Sequence, residues 1–247
     1  MDFQDTPELA AFRSDVKIWL EANATARTDK LHMGMEGDTA FQEAQDWYKK
    51  KAEDGFACLT WPKEYGGAGL TSLHEVVWTQ EVEHYKTRDA HFVIGIGNCG
   101  PAIMHFASEA AKRELLPRMA SAEDVWCQLF SEPSAGSDVA GLRTRAELNG
   151  DNWVLNGQKI WTSGAQYSDY GVVLTRTDPS ISKYRGLTLF MIDMRQNGVE
   201  VRPIKQMDGG GHFNEVFFHD AIVPDDYRLG EVGGGWTGAL TVLMSER

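Results

Sequence analysis

The chain has 247 residues, 42% hydrophobic and 24% charged, an ordinary globular composition with room, at ~150 residues per domain, for one large domain or two modest ones. Lys and Arg number 24 against 36 Asp and Glu; the formal charge of -12 excludes a general nucleic-acid or anionic-membrane surface and leaves open a local basic pocket for an anionic ligand. Cys58, Cys99 and Cys127, odd in number and without CxxC spacing, argue against a disulfide framework or a cysteine zinc site and fit a reducing cytoplasm. The acidic start Met1-Asp2-Phe3-Gln4-Asp5 carries no secretory pattern, and no window approaches the ~18 consecutive apolar residues of a membrane span.

The first half is helical in pattern. Thr6-Pro7-Glu8 is a helix start: Thr6 can cap, Pro7 suits the first turn, and Glu8 favours the positive end of the dipole. Leu9, Phe12, Val16, Trp19 and Leu20 follow at three-and-four spacing. A second helix is predicted over Phe41 to Ala52, with Phe41, Ala44, Tyr48 and Ala52 on one side. Pro62 and Gly66-Gly67-Ala68-Gly69 break the pattern, which resumes from Ser72 to His84. Pro101 to Met119 predicts two short helices, interrupted near Ser108 and ended near Pro117.

Near Val125 the period changes. Leu142, Thr144, Ala146 and Leu148 alternate with Arg143, Arg145 and Glu147, as in a half-buried strand. Asn149-Gly150 and Asn156-Gly157, flanking a short run at Trp153-Val154-Leu155, are hairpin signals, because such turns need positive φ. Further strands are predicted at Gly171–Thr177, Leu187–Met194, Val199–Gln206 and Asn214–Phe218. After Gly233-Gly234-Gly235 the pattern turns helical and stops at Arg247. The expected fold is α+β and multidomain: a helical domain over 1–122, an antiparallel β-barrel or sandwich over 123–230, and the start of a further helical domain over 231–247.

Two local patterns lack the context their chemistry needs. Gly95-Ile96-Gly97-Asn98-Cys99-Gly100 matches GxGxxG, but no strand precedes it and no βαβ alternation follows, so a loop between helices is expected. His74-Glu75-Val76-Val77-Trp78 opens like HExxH with Trp where the second ligand belongs, so no metal site is expected there. Two other stretches carry chemistry. Trp126 to Asp138 ends in Ser131-Glu132-Pro133-Ser134-Ala135-Gly136-Ser137-Asp138, a turn rich in short hydroxyl donors and suited to an anion. Gln158-Lys159-Ile160-Trp161-Thr162-Ser163-Gly164 places two hydroxyls beside a tryptophan that can stack on a planar ring.

These two stretches, in this order and between these blocks, resemble the acyl-CoA dehydrogenase flavoprotein family. The resemblance extends over the whole chain: Trp61-Pro62-Lys63-Glu64-Tyr65-Gly66-Gly67 looks like the family's N-terminal signature, and Phe213-Asn214-Glu215-Val216-Phe217-Phe218 with Val223-Pro224 is similar to the end of its β domain. It implies FAD as cofactor and α,β-dehydrogenation of an acyl-CoA thioester. Gln128, Leu129, Phe130 and Ser131 would line the isoalloxazine edge, and Ser137 would sit by the flavin pyrophosphate and the CoA. Trp161 and Thr162 would pack on the flavin side, with Ser163 bonded to the nitrogen that accepts hydride. Glu246 falls at one of the family's two base positions, and Arg247 would be a substrate contact; Glu132 and Glu215 would be structural. Ser134 stands where the family usually has glycine, which would strain the turn if positive φ were needed there. In the family an all-helical domain follows, covering the flavin and building a dimer or tetramer, so this chain is expected to be a fragment or a short form. The implied partners are an acyl-CoA, an electron-transfer flavoprotein and, in the complete form, a homo- or hetero-oligomer, with no nucleic acid. The wording looks most like bacterial members of lipid or sterol side-chain breakdown. Alternatives are a non-catalytic partner subunit, a related flavin oxidase, and a β-sandwich binding module without chemistry.

Overall fold

The computed structural model describes residues 4–27, 37–207 and 209–244. The chain forms two compact units, Met1–His91 with Ala120–Glu123, and Phe92–Met119 with Asp124–Arg247. Most of the helical text after residue 92 therefore counts with the sheet in this division.

In the first unit α1 (Pro7–Asn23) begins as the sequence requires, the Thr6 hydroxyl accepting from Leu9 N–H at 3.3 Å. Its spaced apolar residues Val16, Trp19 and Leu20 are buried against Leu59 and Trp78. A two-residue strand β1 (Thr25–Ala26) pairs with β2 (Tyr85–Lys86), and between them lie α2 (Asp38–Glu53) and α3 (Ser72–Val82). His74 belongs to the start of α3: its Nδ1 lies 2.9 Å from the Thr71 hydroxyl and its ring meets the Phe12 ring at 4.9 Å. Lys51 is buried, its ammonium 3.1 Å from Asp89 and over the rings of Trp78, Tyr48 and Trp47. The Trp61–Gly67 signature folds into a tight turn in which a Cβ at Gly67 would lie 2.2 Å from the Trp61 carbonyl oxygen.

The second unit opens with a π-helical turn, Ile94–Cys99, that runs straight into α4 (Gly100–Phe106). The GxGxxG text is thus helical rather than a loop. Gly95 lets that turn press on the sheet, since a Cβ there would lie 3.0 Å from the Trp126 Cβ. Helix α5 (Glu109–Ala120) continues past Pro117, where an end was expected. A proline one turn from the end forfeits one N–H bond, while Leu115, Leu116, Met119 and Ala120 keep a buried face going.

The strands β3 (Trp126–Leu129), β4 (Arg145–Asn149), β5 (Asn152–Ser163), β6 (Tyr170–Arg176), β7 (Leu187–Asp193), β8 (Val199–Pro203), β9 (Phe213–Pro224) and β10 (Arg228–Leu229) form one eight-stranded sheet in the order β10-β7-β6-β4-β5-β9-β8, with β3 beside β6. Most pairings are antiparallel; β3 with β6 and the single β4–β6 pair are parallel. Trp153, Leu155, Val173, Phe190, Ile192, Val216 and Phe218 fill its core. Asn149-Gly150 is the expected hairpin, with Asn149 opposite Asn152. Asn156-Gly157 is not a hairpin. It lies inside β5, which is laddered on both sides, where the register shifts between Leu155–Ala221 and Gly157–Phe218. The Asn156 side chain is tied there to Asp220, and a Cβ at Gly157 would lie 2.5 Å from the Thr144 hydroxyl. The bulge is in β9, where His219 and Asp220 face Asn156 and Asp220 takes φ +52°, while Gly157 serves the close approach of Thr144. Helix α6 (Gly235–Met244) follows, with Gly235 seated on the Thr188 backbone.

Asp225 clamps the end of β9, accepting from Trp153 Nε1 at 2.7 Å and from the Arg228 guanidinium at 2.9 and 3.1 Å. The Arg228 bonds first, then that from Trp153, hold its carboxyl at about 2, below the ordinary 3.8. Its stabilising contribution is therefore complete above pH 3.8 and lost as pH falls through about 2. Asp225→Asn should lower the melting temperature at pH 6 and narrow its gap to the parent by pH 2; a gap independent of pH would assign the loss to shape rather than charge.

Candidate active site

Both chemistry-bearing stretches are set by strand ends. β3 delivers Gln128 and Leu129 and is followed by Phe130 and Ser131; the far half of β5 delivers Ile160 to Ser163. They meet at a cleft of about 170 Å³ lined by Ile94, Asn98, Gln128, Phe130, Ser131, Ile160, Trp161 and Ser163. Gln128, Phe130, Ser131, Trp161 and Ser163 are thus brought together. Leu129 and Thr162 are buried in the sheet outside the cleft lining, and Ser137 is exposed on the turn beyond it. Glu246 and Arg247 lie outside the described residues.

Trp161 is 57% exposed and has φ +61°, the left-handed region that bulky residues avoid. The cause is a bulge: Lys159 pairs with Val216 and Thr162 with Asn214, so Ile160 and Trp161 face Glu215 alone. The bulge turns the indole out of the sheet, where the Phe213 ring meets it edge-on at 6.0 Å. The cleft edges carry amides and hydroxyls: Asn98 Nδ2 donates to Gln128 Oε1 at 3.3 Å, with Ser131 and Ser163 on the two strand ends. Ser134 does not adopt positive φ, so the turn accommodates it without that strain.

Beneath the cleft Lys159 is fully buried, its ammonium 3.0 Å from the Phe130 carbonyl and 2.9 Å from Glu132 Oε1. Glu132 also accepts from Arg143 N–H at 2.7 Å and Thr144 N–H at 2.8 Å. Burial acts to raise the Glu132 pKa, but the ammonium and these donors outweigh it and hold the carboxyl below its usual range. Burial pulls Lys159 down to about 8 against the opposing pull of Glu132.

A second cavity, about 490 Å³, is lined by Arg143, Arg145, Arg176 and Lys183 together with Glu147, which pairs with Arg145 at 3.6 Å, and Thr177. This is a local cationic trough on a chain of net charge -12. The Arg176 guanidinium is fixed by the Ala140 carbonyl at 2.6 Å and the Lys183 carbonyl at 2.8 Å, and Lys183 pairs with Asp138 at 2.7 Å. Among the described residues no group of three or more His, Cys, Asp or Glu could hold a metal, and no helix is long and apolar enough to cross a membrane.

Sequence reasoning missed Asn98, the Lys159–Glu132 pair and this trough. A lysine at an inward phase of β5, in step with Trp153 and Leu155, was the signal for a buried anion. Asn98 carried no comparable signal, because nothing in the pattern marks a π-turn.

Two family models match. That of the acyl-CoA dehydrogenase N-terminal domain covers residues 6–123, and that of the acyl-CoA dehydrogenase middle domain covers 127–221. Acyl-CoA dehydrogenase IpdE1 of Mycobacterium tuberculosis is 40% identical over 248 residues, covering 99% of this chain and 63% of that protein. Among solved structures, the Tcur3481-Tcur3483 steroid ACAD superposes with a TM-score of 0.82 at 29% identity, over 100% of this chain and 63% of that one. The ChsE4-ChsE5 complex from Mycobacterium tuberculosis gives 0.80 at 30% identity, over 100% and 62%. The chain thus spans somewhat less than two thirds of these relatives.

Proposed function

The chain belongs to the acyl-CoA dehydrogenase family, whose members are flavoproteins, and from that premise we propose that it serves the FAD-dependent α,β-dehydrogenation of an acyl-CoA thioester. The observation that carries this is Trp161: an exposed indole held in a strained conformation at the mouth of a cleft edged by hydroxyls and amides. Strain of that kind persists only where the surrounding structure holds it, and it clusters at active sites. The donor set fits a flat heterocycle with a polar rim: Trp161 offers a face, while Ser131, Ser163, Gln128 and Asn98 offer edge partners. Flavin held there would supply the two-electron acceptor.

The remaining roles belong to this chain's own side chains. Glu246 is the proposed base for the α proton, a task that burial favours by raising a carboxyl's affinity for protons. The trough of Arg143, Arg145, Arg176 and Lys183 suits the phosphates of CoA, with Ser137 and Arg247 as further contacts. The name of the steroid ACAD favours a sterol-derived acyl group, and that of the ChsE4-ChsE5 complex a mixed oligomer; the likeness to a structure named as an electron transferring flavoprotein supports such a protein as electron acceptor. Cys58, Cys99 and Cys127, all buried and none in a disulfide, suit a cytoplasmic setting.

The test is to add FAD, then a panel of acyl-CoA thioesters, and follow bleaching of the flavin band. Glu246→Gln should retain flavin and lose bleaching; undiminished bleaching would put the base elsewhere. Ser163→Ala should shift the bound-flavin spectrum or potential, and an unchanged spectrum and potential would remove Ser163 from the ring. A parent protein that binds FAD yet is bleached by no thioester would favour the non-catalytic partner subunit.

A further inference from the structure

The two walls of the cleft are not joined by a β-ladder. β3, which leads into Phe130 and Ser131, pairs with β6. β5, which carries Ile160, Trp161 and Ser163, pairs with β4 and β9. A backbone bond crosses from one wall to the other, Ile160 N–H to the Ser131 carbonyl at 3.0 Å. Immediately below it Lys159 reaches across from β5, its ammonium on the Phe130 carbonyl at 3.0 Å and the Glu132 carboxylate at 2.9 Å. Glu132 in turn is anchored by Arg143 N–H and Thr144 N–H, at the edge of the cationic trough.

Burying an ammonium and a carboxylate is costly, and a well-packed apolar pair often holds a core as firmly. An apolar side chain at 159 could not grip the carbonyl of the opposite wall, however, and that bond ends on the lining residue Phe130 from a position next to the lining residue Ile160. We infer that Lys159 is a positioning residue: its buried ammonium, spanning from β5 to Phe130 and Glu132, fixes the separation of the cleft walls and so the aim of Ser131 and Ser163. Only the identity of what the cleft holds rests on the flavin reading; the strut itself is geometry within this chain.

The experiment uses the full chain as parent, Lys159→Met, and Lys159→Met/Glu132→Gln, the last leaving no unpaired buried charge should the single variant fail to fold. Folding is checked by circular dichroism. Amide exchange of Ile160 is then read against the core amide of Val173, and FAD is titrated by its fluorescence. In whichever variant folds, Ile160 should exchange at least tenfold faster relative to Val173, and the FAD dissociation constant should rise at least tenfold. A folded variant with parental Ile160 exchange overturns the strut, and so does one that loosens Ile160 but binds FAD as the parent does. If the parent itself takes no FAD, the flavin reading fails, while faster Ile160 exchange in the variant still supports the strut.

Discussion

Glu132→Ala is expected to destabilise the chain by about 3–5 kcal/mol, the range for removing one partner of a buried ion pair. The change leaves the Lys159 ammonium fully buried with the Phe130 carbonyl as its remaining hydrogen-bond partner among the described residues, and takes the acceptor from Arg143 N–H and Thr144 N–H. The pH dependence separates charge from packing. In the parent, burial draws Lys159 down to about 8 from 10.5 while Glu132 resists. Without Glu132 that resistance is gone, so the lysine sheds its proton at lower pH still. A group whose folded pKa lies below its unfolded value binds fewer protons folded than unfolded, so its contribution rises with pH across the interval. The penalty of Glu132→Ala should therefore be larger at pH 6 than at pH 9, measured by urea unfolding. A penalty below about 1 kcal/mol, or one equal at both pH values, would mean that the pair does not carry the charge balance argued here.

What the sequence made legible follows from how local each cause is. The start of α1 lies in three adjacent residues, Thr6, Pro7 and Glu8, and could be read directly; the alternation into β4 holds for buried Leu142, Thr144 and Ala146 but fails at Leu148, which is exposed. The expected α+β order, helices then sheet then a helix start, is the order found. Gln128, Phe130, Ser131, Trp161 and Ser163 converge on one cleft because two short motifs sit at two strand ends. Non-local causes stayed hidden. Asn156-Gly157 announces positive φ but not whether the chain turns, and the double-sided ladder of β5 decides that. Pro117 breaks a helix only if the buried face stops, and Leu116, Met119 and Ala120 continue it. The π-turn at Ile94–Cys99 and the conformation of Trp161 depend on packing against β3 and pairing with β9, which no window of sequence contains.

Trp161→Asn should have two effects of opposite sign. A bulky residue at φ +61° costs about 1–2 kcal/mol, whereas asparagine tolerates the left-handed region because its short side chain bonds locally. Since the indole is 57% exposed, losing it forfeits little burial. The FAD-free chain should consequently gain about 1 kcal/mol in stability, read as a higher urea midpoint at unchanged slope. The same change removes the aromatic face offered to a planar ring. Stacking of that kind is worth about 1–3 kcal/mol per ring, so FAD affinity should fall by about 5- to 150-fold. Trp161→Phe distinguishes the two effects: it keeps a face and keeps the strain, so it should retain much of the affinity and gain no stability. The bulge that sets φ is built by β5–β9 pairing rather than by the indole, so neither variant should relax it. If Trp161→Asn were less stable than the parent without FAD, the indole would be packing rather than poised. If its FAD affinity were unchanged, the flat ligand would lie elsewhere, and the strain at Trp161 would have lost its reason.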